Sequence, residues 1–277
     1  MDFTTIQNLY AGYIDGYREA SGRLPPMMEL KRVHTAKVVE AAKNIAMGEN
    51  FTPEELEKGL VAALLHDAGR FEQLRKYGTF NDAKSVDHAV FSHQVVRESG
   101  WTKDEDVLAA ILYHNRRDLP QGMSPLRAKL CHIVRDADKL DIFRVLEDQL
   151  KRNPDLSQDA FWGLQPGEPS EEVVDAILHR RPVDYGLIRT LADFILIQVG
   201  WLRNDLHFAT TRRLASERGH LEFRRQLLKS FTSSPPSSTR SSSRDFPHFP
   251  VDGEGVAFAW GSFGVGEFSH FPLDFSG

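Results

Sequence analysis

The chain has 277 residues, 41% hydrophobic and 26% charged, the composition of a soluble globule long enough to bury a full core. A formal charge of −5 argues against a phosphate-backbone binder, so nucleic acid is not an expected partner. A single cysteine, Cys131, excludes a disulfide framework, and with no basic n-region followed by an apolar stretch and no apolar run of membrane-spanning length, a cytoplasmic protein off the membrane is expected.

Taken in chain order, the sequence reads as a succession of helices. The first is expected over residues 4–21 and is broken by Gly22-Arg23-Leu24-Pro25-Pro26. Helices then follow over 28–47, 52–66, 85–99, 104–113 and 124–149. Thr52-Pro53-Glu54-Glu55 is an N-cap followed by proline at the first helical position, and Ser124-Pro125 repeats the device. After the loop around Gln165-Pro166-Gly167-Glu168-Pro169, further helices are expected over 171–180, 185–201 and 206–228. The stripe Ile188, Leu191, Ala192, Ile195, Leu196 and Val199 is wide enough to pack on the preceding helices. Strand-like alternation is scarce, so residues 1–230 read as one all-α domain. Beyond Ser230 the composition turns to Ser/Pro repeats and then to a Gly/Phe-rich stretch without period, as in a disordered or loosely attached tail over 231–277. A Phe-rich interaction segment or an aberrant reading frame would give the same composition.

Metal-ligating side chains recur where helical patterning turns them inward. The apolar run Leu60-Val61-Ala62-Ala63-Leu64-Leu65 ends in His66-Asp67, an imidazole beside a carboxylate whose second oxygen is free for another metal or an attacking water. Alone, such a doublet reads equally as a capping Asp beside a hydrogen-bonded His. His34 lines up with Val38, Ala41 and Ile45, and the stripe Val107, Ala110, Ile111 ends on His114. Each could be a satisfied core histidine, but a shared metal would supply a buried partner for all of them at once. In the helix over 124–149, Asp138 falls on the stripe Cys131, Val134, Ile142, Val145, whereas Asp136 falls with Lys129, His132 and Lys139. Positions two apart lie about 200° apart around the axis, so Asp138 is expected inward and Asp136 outward. A salt bridge from Asp138 to Arg144 or Arg70 is the alternative to a metal.

The order His34, His66-Asp67, Asp138 resembles the HD phosphohydrolase superfamily. Leu64-Leu65-His66-Asp67-Ala68-Gly69-Arg70-Phe71 is similar to its doublet segment, and Arg135-Asp136-Ala137-Asp138-Lys139-Leu140-Asp141 to its closing Ala-Asp segment. In the dinuclear branches two further histidines stand between these segments, and His88 and His114 sit where they are expected. His93 competes with His88, but relatives follow that ligand with a small residue four positions on, and Ser92 is there. The resemblance covers about residues 28–150. It implies an HD-type helical bundle with additional C-terminal helices and a metal-dependent phosphohydrolase acting on a small phosphorylated substrate. Nucleotides are the superfamily's common substrates, although no residue here marks a base pocket. His34, His66, Asp67 and Asp138 would hold one divalent ion, and His88 and His114 a second, with Asp67 bridging and as a catalytic residue. Iron or manganese is favoured by the His-rich set, with Zn, Co, Ni and Mg also compatible. Arg70 is expected to grip phosphate through its two-pronged guanidinium, assisted by Lys84 or the Arg116-Arg117 pair. A di-iron oxygenase with the same six ligands and a non-catalytic regulatory module are the other classes kept open.

Overall fold

The structure is a computed structural model that describes residues 2–116, 118–152, 164, 167–181, 183 and 185–232. Every extended regular element among these is helical. The expected tail lies outside the described residues from 233 onward, as does Arg117.

Four helices form the frame: α2 (Pro26–Gly48), α3 (Pro53–Leu65), α6 (Glu105–Tyr113) and α7 (Pro125–Arg152), after α1 (Phe3–Asp15). α7 runs through the middle and packs on α2, α3 and α6. Its central turns carry Leu130, Ile133, Val134, Ala137, Leu140 and Phe143, all fully buried, so neighbouring elements cover most of its circumference. α3 starts at a capping box in which the Thr52 hydroxyl accepts from the Glu55 N–H and the Glu55 carboxylate accepts from the Thr52 N–H. It stops at Leu65, and the next three residues turn the chain into α4 (Gly69–Tyr77), a helix without a strong apolar stripe that the sequence does not announce.

The start of α4 lies against α5 (His88–Ser99). A Cβ on Gly69 would come within 2.6 Å of the Ser92 backbone nitrogen, so only glycine allows this approach, and the Gly69 N–H donates to Ser92 Oγ at 3.0 Å. Asp87 caps α5 by accepting from the Ala89 and Val90 N–H groups, which places the helix start at His88 rather than at residue 85.

The first helix is shorter than expected. It ends at Asp15, and a turn closed by the Gly22 N–H on the Glu19 carbonyl, with Gly22 at φ +76°, follows it. The C-terminal part comprises α8 (Glu171–Leu178), α9 (Leu191–Gly200), α10 (Ala209–Glu217) and α11 (His220–Thr232). The single helix expected over 206–228 is two helices, because Gly219 at φ +70° breaks it. α9 begins at Leu191, where Thr190 caps it and the buried Asp193 carboxylate also accepts from Ser170 N–H and Oγ–H, tying α8 to α9. Arg224 of α11 is fully buried and donates to Glu147 of α7 at 2.6 Å and to Gln198 of α9 at 2.7 Å. These helices therefore share one core with the N-terminal frame. None of the described helices is long and apolar enough to cross a membrane.

Candidate metal centre

The six side chains singled out in the sequence meet at one place, carried there by helices α2, α5 and α7 and by the C-terminal ends of α3 and α6. His34 points inward from the middle of α2. His66 and His114 are the residues that terminate α3 and α6, and each returns its Nδ1–H to the carbonyl three residues earlier, Ala63 O at 2.8 Å and Ile111 O at 2.7 Å. His88 is the first residue of α5 and Asp138 comes from α7. Asp67 stands in the turn between α3 and α4, 2% exposed.

Asp67 divides the cluster. Its Oδ2 lies 3.7 Å from His34 Nε2 and 3.6 Å from His66 Nε2, while Asp138 Oδ1 is 3.1 and 3.8 Å from the same two nitrogens. Its Oδ1 lies 3.9 Å from both His88 Nε2 and His114 Nε2, which are 3.1 Å apart. The result is two adjacent nests of donor atoms that share one carboxylate. His34 Nε2, His66 Nε2 and Asp67 Oδ1 are buried without a hydrogen-bond partner. Buried polar atoms are seldom left so, and donors of this type within 4.8 Å of one another can hold a metal ion. The residues therefore fit a divalent cation, with nitrogen and oxygen donors and no thiolate among them.

Every imidazole is fixed through its other nitrogen. His34 Nδ1 bonds Asp141 Oδ2 at 2.7 Å, and His88 Nδ1 makes a short bond to Asp82 Oδ2. With the two carbonyl contacts above, all four rings are held with Nε2 toward the centre, the arrangement that leaves a lone pair for a metal. Burial, reinforced by His88 and His66, pushes His114 down to about 3, and burial likewise lowers His66, so both are neutral at ordinary pH. Burial would also depress His34, but Asp138 and Asp141 carry it up to about 9, so in the metal-free protein a proton sits between those carboxylates. Burial alone would raise Asp67; the charges of Lys31 and Arg70 beside it hold it well below the usual carboxylate range.

Asp136 and Arg70 depart from the sequence reading. Asp136 does not face outward: it is 1% exposed and accepts from the His207 and Phe208 N–H groups at 3.0 and 2.9 Å. The phase argument assumed a helix with a wet side, whereas α10 and the chain before it cover that side of α7. Asp138 does face the imidazoles, as its phase requires, and the salt bridges weighed for it go elsewhere, Arg144 to Asp141 and Arg70 to Asp82. Arg70 does not hold out a free fork. Its Nη1 donates to Gln73 Oε1, Phe80 O and Asp82 Oδ1 at 2.7–2.8 Å, and its Nε, without a hydrogen bond, lies 3.6 Å from Asp67 Oδ1. Of the assisting cations, Lys84 is exposed and Arg116 pairs with Asp87 at 2.7 Å. His93 is only partly buried and stands outside the cluster.

Three residues were missed. Asp82 and Asp141 orient His88 and His34, and Lys31 reaches Asp67 Oδ2 at 2.8 Å. Lys31 precedes His34 by three residues, one helical turn, and that spacing was the available signal. Residues 33–142, which contain all six cluster residues, match the family described as HD domain. No curated protein and no solved structure matches the chain.

Proposed function

We infer that the protein hydrolyses a phosphate ester or anhydride of a small molecule, a reading supported by the HD-domain match at residues 33–142. The observation that carries the reading is the division of Asp67, one buried carboxylate with separate imidazole nests at its two oxygens and the cations Lys31 and Arg70 beside it. In this reading His34, His66, Asp67 and Asp138 would hold one ion and His88, His114 and Asp67 the other, iron or manganese being preferred. Divalent ions held there would supply an activated water and charge stabilisation at phosphoryl oxygens. Asp67 is the carboxylate shared by the two nests, and Asp138, whose side chain is 19% exposed, marks the open side of the site. Arg70 acts here as a positioning residue, since by holding Asp82 it holds His88.

A phosphorylated small molecule suits a site with buried cations at its floor, and nucleotides are the first class to screen. The test is metal analysis of anaerobically purified protein followed by a phosphate-release screen over nucleotides and phosphomonoesters, with Asp67→Ala as control. Two ions per chain and turnover that is insensitive to dioxygen, both lost in Asp67→Ala, are expected. Substrate-dependent oxygen consumption without phosphate release would overturn the hydrolase in favour of an oxygenase.

A further inference from the structure

Lys31 is the one cation at the centre carried on a long unbranched stem. Its Nζ sits 2.8 Å from Asp67 Oδ2, the oxygen that also faces His34 Nε2 and His66 Nε2, and its side chain is 8% exposed. The ammonium thus satisfies the same oxygen that the first donor nest would offer to a metal. The imidazoles around it cannot turn away, since each is tied through Nδ1. Arg70 cannot either, because its Nη1 is committed to Asp82, Phe80 O and Gln73. Lys31 has four methylenes of freedom, and its Nζ lies 5.6 Å from the centroid of the fully buried Phe80 ring, the face of which can accept a cation.

We propose that Lys31 is an exchanging catalytic residue: it neutralises Asp67 while the centre is metal-free, is released from Oδ2 when a cation binds there, and then holds an oxygen of the substrate's phosphoryl group. The first half follows from electrostatics, since a buried carboxylate without a counter-charge is strongly destabilising and two cations compete for one oxygen. The second follows from placement, since a released ammonium remains within a side chain's length of the donor nests. The substrate half rests on the phosphohydrolase reading.

The two halves have separate readouts. Metal-free full-length protein is titrated with Mn²⁺ by calorimetry as wild type, Lys31→Met and Lys31→Gln, the second variant covering a failure of the first to fold. Binding of inorganic phosphate is then measured on the Mn²⁺-loaded forms. Removing the competitor should tighten Mn²⁺ binding on the order of tenfold, and removing the phosphate contact should weaken phosphate binding by about tenfold or more, with Lys31→Arg recovering part of the latter. Unchanged or weaker Mn²⁺ binding in the variants overturns the exchange, and unchanged phosphate binding overturns the substrate role. Neither measurement uses turnover. A wild-type protein that hydrolyses no phosphate ester, yet binds phosphate through Lys31, would defeat the hydrolase reading and the catalytic role with it, and leave the exchange at Asp67 and the phosphate contact standing.

Discussion

Gly69→Ala tests the link between the helix junction and the metal centre. Gly69 is the first residue of α4, in ordinary helical conformation, so alanine would stabilise this position by about 1 kcal/mol on propensity alone. The added Cβ, however, would stand 2.6 Å from Ser92 N and 2.9 Å from Phe91 C and Ser92 Cα. These are backbone atoms, so no rotamer change relieves the contact and α4 and α5 must separate. Overpacking of this kind costs about 1–3 kcal/mol, and the Gly69 N–H to Ser92 Oγ bond, worth roughly 1 kcal/mol, is lengthened. The net expectation is a loss of about 1–3 kcal/mol, a fall in Tm of roughly 2–12 °C for a domain of this size. Because α5 carries His88 as its first residue, its displacement should also weaken the nest at Asp67 Oδ1 and spare the one at Oδ2. Thermal unfolding and metal content per chain read the two effects. An alanine variant as stable as wild type with both ions retained would refute the argument that the close approach of α4 to α5 builds the site.

Asp136→Ala should lose about 2–4 kcal/mol by urea denaturation, because two buried N–H groups lose a charged acceptor; Asp138→Ala should abolish turnover with little loss of stability, and the reverse ranking would reject the division between them. Asp82→Asn leaves a side chain of the same shape that accepts less strongly from His88 Nδ1, so Mn²⁺ affinity should fall about 10- to 100-fold; calorimetry showing no change would remove Asp82 from the site. His132, stacked on His207, is pushed down to about 3 by burial and then by His207, from an ordinary value of 6.5. Between those values the unfolded chain binds a proton that the folded chain does not, so stability should be full above about pH 6.5 and decline as pH falls toward 3. Urea midpoints at pH 7.5 and 5 test this, with a smaller difference expected in His132→Gln; an undiminished difference in that variant would clear His132 of the effect.

Much of the molecule was legible from the chain because local rules sufficed. Thr52-Pro53 and Asp104 start helices through hydrogen bonds made within four residues, and the apolar spacing of Val38, Ala41 and Ile45 marks the buried face that also carries His34. The order of His34, His66, Asp67, His88, His114 and Asp138 named the cluster, since each is placed by its own helix or helix end. What tertiary structure alone decided involves contacts between segments far apart in sequence. Asp136 is buried because the chain leading into α10 arrives from about seventy residues away and covers the side that helical phase alone would leave to water. α4 carries too few apolar residues for its period to announce it; it forms where Gly69 docks on Ser92. Asp82 and Lys31 look on paper like ordinary surface charges, and Arg70 like a phosphate-gripping fork. They become parts of the cluster only in the folded chain, where burial forces each charge to find a partner and Lys31 finds Asp67, Arg70 finds Asp82 and Asp82 finds His88.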